Sequence, residues 1–421
     1  MKSRWPSQII FGLALLGPID ASAEVFDAVT PQALADALGA AGAGDVIRLG
    51  PGEWPWVDLR EMEGTSADPL VLTSIDPAQP ARLSGLFIYQ ASGLEIRDLV
   101  LDYVFQPGDE VWTAPFEVVQ SEGITLRRLL IDGDTAHGIS DEADGYGYAL
   151  GLSIAQSRGV TLDGSVIRGF TRGLGVSDSS DIRIAGNELH DMRITGMYFA
   201  AVSDVLIENN HIHDMRYAPT STDHPDMLQF WTAGTTSPTT NVVIRRNLLA
   251  SGAGNWTQSI FIRNELVDTG QASFEAMAYR HIRIEDNIVI NAHLHGITVG
   301  ESDGLVIANN AVLRNRTSEG QEPNPPLWTP QITVAPSSRN VVIERNITAA
   351  IAGFEEQPDW EVRDNLLAQD RAPTQPGYYA RLFTNMPAGD PRDPASFAPL
   401  RGGPLDGTGI GPSWLGWRSP P

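Results

Sequence analysis

The 421-residue chain contains no cysteine and a single lysine, Lys2. The first absence excludes a disulfide framework, a thiolate zinc site, an iron–sulfur cluster and a cysteine nucleophile. Positive charge is scarce altogether: 29 Lys and Arg face 52 Asp and Glu, a net charge of −23. That balance excludes nucleic acid or an anionic membrane held by bulk charge. Beyond the first residues, no segment reaches the roughly 18 uncharged apolar residues of a membrane helix. What is present is 42% hydrophobic residues with 19% charged, the composition of a folded chain with ample core. Gly (41) and Pro (29) suit a molecule of many turns.

The N-terminus reads as a processing segment. Lys2 and Arg4 precede an apolar stretch at 9–16 and then Ala21-Ser22-Ala23. A basic start, a short apolar run and a small-residue site predict a secretory signal peptide over 1–23. The mature chain would begin at Glu24, secreted or periplasmic, with no lysine left for catalysis.

A six-residue pattern, apolar-x-apolar-x-x-Asn, recurs as IRIAGN (182–187), VLIENN (205–210), VVIRRN (242–247), IRIEDN (282–287), LVIANN (305–310), VVIERN (341–346) and WEVRDN (360–365). Period-2 alternation with β-branched residues is a strand signal. A unit near 22 residues with variable insertions fits the coils of a solenoid. Asn suits the slot because it tolerates the left-handed turn conformation and its amide can bond the Asn of the next coil. These asparagines are therefore structural.

A second strand precedes most copies: LFIY (86–89), FEVV (116–119), LSIA (152–155), LGVS (174–177), MYFA (197–200), LQFW (228–231), IFIR (260–263), ITVG (297–300) and ITVA (332–335). Their second and fourth residues should face outward in two columns. One runs Phe87, Glu117, Ser153, Gly175, Tyr198, Gln229, Phe261, Thr298, Thr333; the other Tyr89, Val119, Ala155, Ser177, Ala200, Trp231, Arg263, Gly300, Ala335.

With its opening TPQALADALGAAGAGDVIRLGPGEW (30–54) and GTSADPLVLTS (64–74), the chain resembles the pectate-lyase-like superfamily, and within it β-helical polysaccharide lyases of the chondroitinase B and alginate lyase type. The resemblance implies an all-β fold, a right-handed parallel β-helix over 24–370. A short helix from Pro31 to Leu38 would cap the first coil. Residues 371–421, rich in Pro and Gly, would form an irregular C-terminal cap over the last coil. Those lyases use a Lys/Arg pair, which a mature chain without lysine cannot supply. Calcium is common among them.

The two columns carry small residues over several coils and then Tyr198, Gln229, Trp231, Phe261 and Arg263, with aromatic faces suited to stacking on sugar rings. The segment HIHDMRYAPTSTDHPDMLQFW (211–231) feeds titratable groups into that face. His224, flanked by Asp223 and Asp226, is the candidate base, its tautomer held by a carboxylate. Tyr198 or Tyr217 would be the acid, and Arg263 or Gln229 would bind a uronate carboxylate. Trp231, Phe261, Asp223, His293 and His295 are candidate substrate contacts; His211 and His213 serve the coil. Metal candidates are weaker. His211 and His213 with His224 lack a clear ligand spacing. Asp141, Glu142 and Asp144 of the acidic 132–151 loop could bind Ca²⁺ through oxygens.

The function these residues suggest is a secreted polysaccharide lyase acting on an extended, uronate-containing, alginate-like polymer by β-elimination, as a monomer, with Ca²⁺ the one candidate cofactor. The alternatives are a C5-epimerase on the same polymers, a glycoside hydrolase using Asp223 and Asp226, and a non-catalytic glycan-binding β-helix.

Overall fold

The computed structural model describes residues 23–416 apart from 220, 223, 321–323 and 325. The expected signal segment, except Ala23, and the candidate Asp223 lie outside the described residues. Among the described residues, successive short strands stack in parallel into three sheets of 13, 11 and 12 strands. Each coil contributes one strand to each sheet, so neighbours in a sheet are one coil apart, about 4.8 Å.

The 11-stranded sheet runs from Val57–Arg60 to Ile351–Ala352. The first predicted outward column is in register from Phe87 to Thr333. The second holds from Tyr89 to Trp231, and pairing then stops at Phe230–Ile262, one residue short of Arg263. Inward residues such as Ile154, Val176, Phe199, Phe230 and Ile262 are buried in one continuous core. Phe199 and Phe230 stack at 4.7 Å on adjacent coils.

The asparagine ladder is built as the repeats imply, with one change. Asn187, Asn210, Asn247, Asn287, Asn310, Asn346 and Asn365 form a chain. Each donates its backbone N–H and side-chain N–H to the Oδ1 of the next. The left-handed conformation belongs to the residue before the Asn: Gly186, Asn209, Arg246, Asp286, Asn309, Arg345 and Asp364 have φ between 53° and 65°. The ladder Asn is spared that conformation, and its amide is committed instead to satisfying buried backbone groups.

The N-terminal helix, Pro31–Ala40, begins at Thr30, whose side chain accepts the Ala33 N–H, and buries Leu34 and Ala37 against the first coil. The C-terminal segment packs along the flank of the 12-stranded sheet and reaches Ile347 and Ala368 of the last coils. Leu248, Ala250, Ile288, Ile290, Ala311 and Leu313 face outward there and are covered by Tyr379, Leu382, Phe383, Met386, Phe397 and Leu415. The two strands just before, Glu188–His190 and His211–His213, are polar at these positions. On the last coils, Phe354 and Leu367 remain exposed. No helix among the described residues is long and apolar enough to cross a membrane.

Candidate active site

A cleft of about 370 Å³ opens on the 11-stranded sheet, lined by Arg172, Ile194, Thr195, Thr222, His224, Asp226, Gln229, Trp231, Ala233 and Glu265. Its floor comes from a break in the alternation. Arg172, Thr195, Asp226 and Gln258 are register partners, and the next paired residues are Leu174, Met197, Leu228 and Ile260; the residue between is skipped. Strict alternation would turn all four polar residues into the core beside Leu174. The skipped positions include Gly173 and Gly196, where an added Cβ would meet the next coil's carbonyl at 2.7 and 2.4 Å. Arg172, Thr195 and Asp226 nonetheless line the cleft.

Asp226 dominates the floor. It is 1% exposed, and among the described residues neither carboxylate oxygen has a hydrogen-bond partner. Burial pushes its carboxyl well above the usual carboxylate range, with Arg172 pulling weakly the other way. The neutral acid is therefore favoured. Thr195 Oγ1, Gln258 Oε1 and Arg172 Nε are also buried without partners, so a row of polar groups is left for something else to satisfy. The Arg172 guanidinium lies 5.7 Å from the Tyr198 ring and 5.9 Å from the Trp231 ring, which stack on each other at 4.9 Å.

The predicted groups divide. His224, Asp226, Gln229 and Trp231 line one cleft, with Tyr198 beneath Trp231. Asp226 does not hold the His224 tautomer, since its carboxylate is unpaired and buried while His224 is exposed. Arg263 does not line this cleft. It pairs with Asp268 at 2.9 Å, where the chain leaves the sheet for a short helix, Glu265–Asp268. The arginine lining this cleft is Arg172. Sequence reasoning missed it because the strand was begun at Leu174; Arg172–Ser177 is the strand as formed.

Tyr217 belongs to a second cleft of about 540 Å³, with Pro219, Trp256, Glu319, Asn324 and Trp328 among its lining residues. The loop after His213 separates the two clefts, giving Tyr217 to one and Thr222 and His224 to the other. Ring contacts connect them. Tyr217 meets Trp256 at 5.8 Å, Trp256 stacks on His293 at 5.1 Å, His293 meets His295 at 5.3 Å, and His295 meets Phe261 at 4.9 Å, beside Gln229. Burial lowers His293 to about 3 and also lowers His295, so both are neutral rings rather than cations. His295 Nδ1 shares a hydrogen bond with Thr298. Trp256 and Trp328 lay in loops without repeat signal and were not foreseen.

The acidic loop does not gather a cation shell. Asp144 accepts backbone N–H groups from Gly138, Ile139 and Ser140, which satisfies its carboxylate within a turn, and Asp141 and Glu142 are exposed. His211 and His213 lie on the 12-stranded sheet with Glu188 beside them, while His224 lines the cleft on the other sheet and is not part of that group.

The model of the right handed beta helix region matches residues 144–265, a span that includes the first cleft. The chain is a right-handed parallel β-helix. Among solved structures it is similar to the Dettilon tailspike protein, at 11% identity and TM-score 0.51, covering 82% of this chain and 63% of that one. It is also similar to an alginate lyase from Paenibacillus sp. str. FPU-7 (11% identity, TM-score 0.40, 81% of this chain and 98% of that one). A third is PfbA, a surface adhesin of Streptococcus pneumoniae (15% identity, TM-score 0.45, 80% and 85%). No curated protein matches the sequence. What this β-helix has in common with the three is the fold.

Proposed function

We propose that this β-helix cleaves an extended, uronate-containing polysaccharide by β-elimination. The observation that carries the reading is the pairing, on one cleft floor, of the Arg172 cation with a buried Asp226 that favours its neutral form. In a protein of net charge −23, that combination makes a local seat for a carboxylate. Arg172 supplies charge, and the Asp226 O–H supplies a hydrogen bond without repulsion. Held this way, the uronate C6 carboxylate can accept the charge that develops when the C5 proton leaves.

His224, at the exposed rim, would take the C5 proton. The C5 electron pair forms the C4–C5 double bond, the C4–O4 bond breaks, and O4 takes a proton from the Tyr198 phenol. Burial raises Tyr198, which suits a group that enters the step protonated. Trp231 and the ring series from Phe261 to Tyr217 would support neighbouring sugars. The basic and then apolar N-terminus fits export to where such polymers occur.

One observation favours a second reading. Glu265 lines the same cleft as Asp226, and a neutral acid with a second carboxyl group is the pair a glycoside hydrolase needs.

The test is incubation with uronate and neutral polymers. The expected result is ultraviolet-absorbing unsaturated ends from a uronate polymer, lost about a hundredfold or more in Arg172→Gln and His224→Ala. New reducing ends without that absorbance would favour hydrolysis. Solvent deuterium at C5 without cleavage would indicate epimerisation, and binding alone a glycan-binding rod.

A further inference from the structure

On the outer face of the 12-stranded sheet, away from the clefts, Glu188, His211 and His213 meet. Glu188 and His211 are register partners on adjacent coils, and His213 follows two residues on, so all three point outward while Leu189 and Ile212 fill the core. The His211 and His213 rings lie 4.1 Å apart at 26°. One ligand atom from each of the three residues can be chosen so that all lie within 4.8 Å of one another.

We propose that Glu188, His211 and His213 form a binding site for a divalent transition-metal ion of the zinc class. Two imidazoles and one carboxylate are a recurrent donor set for such ions, with the remaining position open to water. The surroundings are those of a ligand set. His213 Nε2 and Glu188 Oε1 share a 3.0 Å hydrogen bond, which an ion bridging the two atoms would replace. Its other nitrogen, Nδ1, is 2.7 Å from Asp214 Oδ2, which fixes the ring and leaves Nε2 to face the ion. Asp214 is itself held, accepting the Ala253 N–H at 2.7 Å from the next coil.

The position gives the ion a task. His213 and Asp214 are the root of the loop that carries Tyr217, Thr222 and His224 to the two clefts. A metal at His211 and His213 pins that root to the coil below through Glu188. This inference does not depend on the polysaccharide reading.

The experiment is titration of the full-length, tag-free, chelator-treated chain with Zn²⁺ by calorimetry, followed by X-ray absorption. The expected result is one ion per chain with two imidazole nitrogens and one carboxylate oxygen in its shell. Glu188→Gln and His211→Ala should each weaken binding at least about tenfold, and Asp214→Asn about 10–100-fold. His224→Ala should leave affinity unchanged. Glu188→Gln changes one exposed side chain and keeps the test open if a histidine variant fails to fold. Absence of one-to-one binding, or binding unmoved by both Glu188→Gln and His211→Ala, would overturn the proposal and leave His213 as an ion-pair residue only.

Discussion

Tyr198 lies flat on Gly175 of the coil below, so close that a β-carbon on Gly175 would sit 2.2 Å from the ring's Cζ and from its hydroxyl. The same ring stacks on Trp231 of the coil above. The cleft wall is therefore a three-layer stack whose lowest layer must lack a side chain.

Gly175→Ala should lift the ring and break the stack. The fold should lose about 1–3 kcal/mol as the strain of overpacking. The rate on polymer should fall about tenfold or more as Trp231 and Tyr198 leave their positions. Denaturant unfolding and steady-state kinetics on the same variant check both effects. An unchanged rate would separate the Tyr198–Trp231 pair from the reaction.

Asp226→Asn keeps a neutral hydrogen-bond donor on the cleft floor, so turnover should fall far less than in Arg172→Gln while thermal stability rises at neutral pH. The sign follows from linkage. Because the folded-state value of Asp226 is raised, the native state holds a proton that the unfolded state has released. Stability from this group is therefore full below the ordinary Asp value and declines as pH rises toward the folded-state value. The Asn variant lacks that decline. Melting curves from pH 4 upward should show the gain of the variant growing with pH and vanishing near the acid end.

Trp256→Ala should act on binding. Trp256 contacts Tyr217, Trp328 and His293. Loss of one sugar-stacking face costs about 1 kcal/mol, so KM should rise several-fold with kcat nearly unchanged. Uncovering His293 should also raise it from about 3 toward the ordinary histidine range, visible in an NMR titration.

Asn247→Ala should cost stability and leave turnover alone. The substitution strands the backbone and side-chain N–H groups of Asn210, which both donate to Asn247 Oδ1. Unpaired buried donors cost about 1–3 kcal/mol each. Asn365→Ala, at the half-buried last rung, should cost less, and urea midpoints for the pair measure the difference.

The rungs were legible because their chemistry is periodic. A residue of every coil lands in the same slot, so the columns from Phe87 to Thr333 and the asparagine ladder could be read from spacing alone. The cleft floor was not, because it depends on a departure from that period. Arg172, Thr195 and Asp226 share the parity of core residues, yet they line the cleft beside the unpaired positions Gly173, Gly196 and Met227. Arg263 kept the right parity but lay one residue past the end of pairing, where Asp268 captures it. The course of the tail had a sequence trace in strands apolar on both faces, Leu248–Ala250 and Ala311–Arg314, yet a partner for such a face is a tertiary fact.

That tail changes how the rod can come apart. A stack joined only between adjacent turns can peel open from its end one turn at a time. Here Trp414 Nε1 donates to the Asp286 carbonyl, and Asn309 Nδ2 to the carbonyls of Gly409 and Gly411. Turns that would otherwise fray singly are laced to one strap, so the distal third of the molecule must loosen as a block, strap included.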